Sequence, residues 1–130
     1  FVNVQQTAGS STWDELCLFY SDSPISSNWQ PHAQNPIISD VRSARPAGRI
    51  FVQDGCLHRP SQDSSLRYGY ALNINKILEL SKTTFRECLV RRIEPNWSPS
   101  IRAVHTLNYT DRLAVIDVIH RSRKRLFSDS

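Results

Sequence analysis

The sequence predicts an all-β chain of antiparallel strands, and three observations predict it. Asp54-Gly55 stands between two apolar segments, and this pair tolerates the positive φ values of a tight hairpin turn. Tyr70, Leu72 and Ile74 alternate with Ala71, Asn73 and Asn75, the period-two pattern of a strand. Short segments of this kind recur with turn residues between them, and no stretch keeps apolar residues at helical spacing.

Residues 1–12 are small and polar and read as a loose lead-in. Residues 13–20 hold Trp13, Leu16, Leu18, Phe19 and Tyr20 and suit a buried strand that ends at Ser21-Asp22-Ser23-Pro24. Pro24, Pro31 and Pro36 mark a long ordered loop carrying Trp29, and Ile37-Ile38 forms a very short strand. The Asp54-Gly55 hairpin joins strands near 49–53 and 56–59, and residues 60–65 follow as a polar loop. Residues 68–77 read as a half-buried strand, with β favoured over a helical turn at 77–80. Residues 85–93 form its antiparallel neighbour, and Pro95 to Pro99 bound a loop. Residues 104–109 and 113–119 flank Thr110-Asp111-Arg112 as a second hairpin. The expected organisation is therefore a lead-in (1–12), one β domain (13–120) and a basic tail (121–130).

Of the 130 residues 39% are hydrophobic and 22% charged with signs interspersed, a composition that builds a core and excludes wholesale disorder. No apolar run approaches the ~18 residues that span a bilayer, so no membrane partner is expected. The first residues lack the basic and apolar regions of a signal peptide, and the absence of an initial Met suggests a processed or truncated chain. Cys17, Cys56 and Cys88 are odd in number and none sits at metal-ligand spacing, so a reducing, cytoplasmic setting is favoured and no metal is expected. The sequons at Asn96 and Asn108 matter only in a secreted chain. Much of the net charge of +4 comes from Arg121, Arg123, Lys124 and Arg125. With no aromatic among them, they read as a solvated tail rather than a nucleic-acid patch. No glycine-rich phosphate loop and no Ser-His-Asp spacing is present, and no cofactor is implied.

The order of several pieces resembles a known group. Leu18-Phe19-Tyr20-Ser21-Asp22-Ser23-Pro24, then Trp29, His32 and Asn35-Pro36, is similar to a passage of five-bladed propeller glycosidases and their relatives. Ala44-Arg45-Pro46-Ala47-Gly48-Arg49-Ile50, His58-Arg59-Pro60-Ser61-Gln62-Asp63, Tyr68-Gly69, Glu87, His105-Thr106-Leu107-Asn108 and Ile116-Asp117 narrow the resemblance. Together they resemble the propeller domain at the N-terminus of plant glucosamine inositolphosphorylceramide transferases, and of bacterial proteins carrying it beside formyltransferase-like or glycosyltransferase domains. The resemblance implies antiparallel blades of a five-bladed β-propeller-like fold. A full ring needs many more than 130 residues, so only the C-terminal blades are expected. Open ends then require missing upstream blades or a homo-oligomer.

The implied ligand is a carbohydrate or sugar nucleotide. Arg59, Gln62 and Asp63 offer a guanidinium fork, an amide and an acceptor, with Tyr68 or Tyr70 as aromatic platform. An internal pair of Arg59 with Asp63 explains the same residues equally well. Propeller glycosidases work through paired carboxylates, which makes Glu87, Asp63 and Asp22 the weak catalytic candidates. For Glu87 the commoner arrangement is an exposed strand carboxylate paired with Arg86 or Arg91. His105 is a further ligand candidate beside its commoner role as a satisfied core histidine. Three functions follow: an accessory binding module of a glycosyl- or formyltransferase, a glycoside hydrolase-like piece, or a non-catalytic oligomerising scaffold.

Overall fold

The structure is a computed structural model describing residues 1–3, 8–9 and 11–122. Within the lead-in, Val2–Asn3 forms β1, antiparallel to β2 (Glu15–Cys17). β3 (Phe19–Tyr20) and β4 (Gln30–Pro31) pair with each other, and β5 (Ile38–Ser39) returns to the other edge of β2. The run expected as one strand is thus two, broken at Leu18. There the Asn35 side chain serves as a one-residue strand neighbour. Its Oδ1 accepts from the Leu18 amide at 2.8 Å, and its Nδ2 donates to the Leu18 carbonyl at 2.8 Å.

The largest sheet runs in the order β6 (Phe51–Gln53), β7 (Cys56–Asp63), β8 (Ala71–Leu80), β9 (Phe85–Ile93). Asp54 and Gly55 both take positive φ, 51° and 71°, which turns the expected first hairpin. β7 continues through Asp63, so the polar loop expected from Pro60 onward is strand instead. The reason lies in pairing: Pro60 stands opposite Ile74 and Gln62 opposite Leu72. On the other edge, Pro60 gives only its carbonyl, to the Ala47 amide, and Gln62 donates its amide to the Arg45 carbonyl. A residue's N–H and C=O point the same way in a strand, so the missing proline N–H falls on this loosely paired edge. β8 also departs from expectation, because Ala71 to Asn75 are buried on both faces rather than one.

β10 (Ile101–Tyr109) and β11 (Ala114–His120) form the second expected hairpin. Backbone bonds tie it to segments beside the large sheet: Val104 donates to the carbonyl of Tyr70, just before β8, and Leu107 to that of Ala47, ahead of β6. Between them lies a core of Ala47, Leu72 and Val104, edged by Ile93 and Leu107. Burying a side chain such as Leu72 contributes about 1.5–3 kcal/mol. Leu16, Cys17, Leu18 and Phe85 are buried as well. All described regular structure is antiparallel β. The basic tail beyond Ser122 lies outside the described residues.

A polar cleft as candidate functional site

Alternation along β7 sends its side chains to two places. Arg59, Ser61 and Asp63 face one side of the sheet, while Pro60 and Gln62 face the core side. On the first side Arg59 stands opposite Asn75 and Ser61 opposite Asn73. β9 joins this face through an irregularity. Asn73 pairs with Arg92 and Ile74 with Arg91, but Asn75 pairs with Leu89, leaving Val90 as the extra residue. One inserted residue reverses the facing of everything beyond it. Arg92, Leu89 and Glu87 therefore all look to the same side, which an unbroken strand could not arrange.

The result is an open cleft of about 670 Å³. Its polar lining includes Asp40, Arg42, Asp63, Asn73, Glu87 and Arg92; Ile37, Ile38, Leu78, Phe85 and Leu89 supply apolar wall. Beneath it, Arg59 is 1% exposed. Its Nε donates to Glu87 Oε2 at 2.8 Å, and its Nη2 to Glu87 Oε1 at 2.6 Å and to the Ser43 carbonyl at 2.8 Å. Glu87 is 11% exposed, so it is neither the surface carboxylate expected on β9 nor paired with Arg86, which reaches Glu79. The internal pairing expected of Arg59 with Asp63 is likewise replaced by this bond to Glu87.

Asp63, 3% exposed, binds Arg92 through Nη1 and accepts at Oδ1 from the Ser65 amide at 2.9 Å and hydroxyl at 2.6 Å. Burial alone would raise its carboxyl; the bonds from Ser65 and Arg92 more than offset this and hold it below the ordinary range. Asn73 Nδ2 donates to the Arg42 carbonyl at 2.8 Å, tying β8 to the segment that carries Asp40 and Arg42. Arg42 grips Asp40 with Nε and Nη2, and that hydrogen bonding lowers the Asp40 carboxyl. Asp40, Arg42, Asn73 and Arg92 were not singled out by sequence reasoning. The Asn73 and Asn75 alternation was the one legible signal, because two amides at period two beside Arg59 and Asp63 foreshadow a polar face.

The remaining sequence candidates lie elsewhere. Asp22 is exposed after β3 and is not among the residues lining the cleft. Gln62, Tyr68 and His105 gather on the core side of β7. Gln62 Nε2 donates to the His105 carbonyl at 2.9 Å, and the Tyr68 ring lies 5.1 Å from that of His105 and 5.0 Å from that of Trp13. Arg45 covers Tyr68 and donates to its hydroxyl at 3.0 Å. Asp117 accepts at Oδ1 from the Thr106 amide and from its hydroxyl at 2.9 Å, and its Oδ2 is 3.6 Å from His105 Nδ1. Tyr68 therefore offers no platform to Arg59 and Asp63. Among the described residues no group of His, Cys, Asp and Glu could hold a metal ion.

Comparison with known proteins supplies a family. Residues 1–115 match the model described as "Glucosamine inositolphosphorylceramide transferase 1, N-terminal". Relatives of the name glucosamine inositolphosphorylceramide transferase 1 are found in Arabidopsis thaliana, 42% identical over 81 residues, and in Oryza sativa subsp. japonica, 43% identical over 75 residues. These alignments cover 61% and 56% of this chain but 10% of each relative. The chain thus spans about a tenth of the length of the curated relatives it matches. No solved structure matches it. The chain belongs to the family of glucosamine inositolphosphorylceramide transferase 1 N-terminal regions.

Proposed function

We propose that this chain is an accessory carbohydrate- or sugar-nucleotide-binding module of a transferase, and that the ligand sits in the cleft between β7, β8, β9 and the segment around Asp40. The observation that carries this reading is the cleft lining. Guanidinium forks at Arg42 and Arg92, carboxylates at Asp40 and Asp63 and the amide of Asn73 are held in place by bonds to one another. Sugar hydroxyls each donate and accept, and such fixed mixed groups meet both needs. Membership in a transferase N-terminal family supports the accessory role.

The glycoside hydrolase-like alternative has weaker support, because both Glu87 oxygens are engaged by Arg59 and Asp22 lies outside the cleft lining. The strands also fit blades of a β-propeller-like arrangement. β11 presents an exposed apolar surface that further blades or a second copy would cover.

Isothermal titration of this chain against a panel of mono- and disaccharides and sugar nucleotides tests the reading. Saturable binding that weakens about tenfold or more in Arg42→Ala is expected, as befits loss of a charged hydrogen bond. Silence across the panel at millimolar concentration overturns it. Turnover of chromogenic glycosides would favour the hydrolase alternative.

A further inference from the structure

Resting on the reading of this cleft as a saccharide site, we infer that its ligand is an uncharged sugar unit, and that the cleft's own carboxylates turn phosphorylated ligands, sugar nucleotides included, away. The reason is how the charges are already spent. Arg42 is held by Asp40, Arg92 by Asp63, and Arg59 by Glu87. Arg86 also lines the cleft but reaches Glu79 at 3.1 Å.

A phosphate is captured by unengaged guanidinium forks or by the N-terminus of a helix. Each lining guanidinium faces a carboxylate, and the described residues include no helix. A phosphate on the remaining N–H groups of Arg92 would lie beside the charged Asp63 and Glu94 carboxylates, and one that took the whole fork would strand the buried Asp63 without its cation. Displacing Asp40 from Arg42 sets a carboxylate beside the incoming anion. Both carboxyls are shifted downward, by the Arg42 hydrogen bond at Asp40 and at Asp63 by the Ser65 and Arg92 bonds that outweigh burial, so both stay charged at neutral pH.

A neutral sugar needs none of these rearrangements. A guanidinium has five N–H donors and a carboxylate about four acceptor sites, so an ion pair keeps groups to spare. Adjacent hydroxyls can donate to Asp40 or Asp63 and accept from Arg42 or Arg92 while the pairs stay intact. The apolar wall of Ile37, Ile38, Leu78, Phe85 and Leu89 suits the C–H face of a sugar ring.

The test titrates this chain, at low salt where charge effects are largest, with two sets of probes. The neutral set is the methyl glycosides of glucose, galactose, mannose and N-acetylglucosamine; the anionic set is inorganic phosphate and uridine diphosphate. Asp40→Asn is measured beside the native chain, since the Asp40 side chain is 34% exposed and the change keeps its size, with circular dichroism to check that the fold is retained. At least one neutral glycoside is expected to bind, with both anions at least tenfold weaker. Asp40→Asn is expected to weaken the glycoside and strengthen phosphate at least fivefold by releasing Arg42. Equal or tighter anion binding in the native chain overturns this inference while leaving a sugar-nucleotide site standing. Absence of binding by either set overturns the saccharide site itself, and this inference with it.

Discussion

Arg59 is the residue on which the cleft rests. Its charge is buried, and Glu87 together with the Ser43 carbonyl is what makes that burial tolerable. Glu87→Ala leaves the guanidinium uncompensated, and a loss of about 3–5 kcal/mol is expected from urea unfolding. Replacing both partners, Arg59→Met with Glu87→Leu, is expected to cost much less than the sum of the two single changes. Asp63 gives a pH signature. Its folded pKa lies below the unfolded value of about 3.9, so its contribution is complete above that value and drains as pH falls through the folded one. Unfolding midpoints measured from pH 6 to pH 2 are expected to hold above pH 5 and fall below pH 4. Asp63→Asn is expected to flatten that acid limb.

At the scale of elements, the bulge at Val90 decides which β9 side chains enter the cleft, and it explains why the site was only half legible. Asp54-Gly55 announced the first hairpin because turn chemistry is local. The boundaries of β9 were equally plain, since 85–93 is bounded by polar and proline signals. Nothing local marks a bulge, so period-two reasoning could not place Arg92 and Glu87 on one face. The same reasoning misjudged residues 60–63, where long-range pairing with β8 overrides the turn preference of Pro60 and Ser61. It also grouped Gln62 with Asp63, although neighbours in a strand point oppositely. Docking of the β10 and β11 hairpin depends on Gly48, which has φ 145°; a Cβ there would stand 1.9 Å from the Leu107 carbonyl oxygen. Gly48→Ala is expected to lower stability by at least about 2 kcal/mol in thermal or urea unfolding.

For the whole molecule, two surfaces set the behaviour. β11 leaves Val115, Ile116, Val118 and Ile119 exposed, a strand edge and face of the kind that pairs with other β structure. Sedimentation velocity on this chain is expected to show association that grows through the micromolar range, and a concentration-independent monomer would remove the oligomer from the account. The cleft is the other surface, and its occupancy is the central claim. The most direct measurement is an amide and side-chain NMR titration of the labelled chain with a neutral methyl glycoside. The account predicts saturable shifts gathered at Asp40, Arg42, Asp63, Asn73 and Arg92. Shifts confined to Trp13, Tyr68 and His105, or none at saturating sugar, would contradict it.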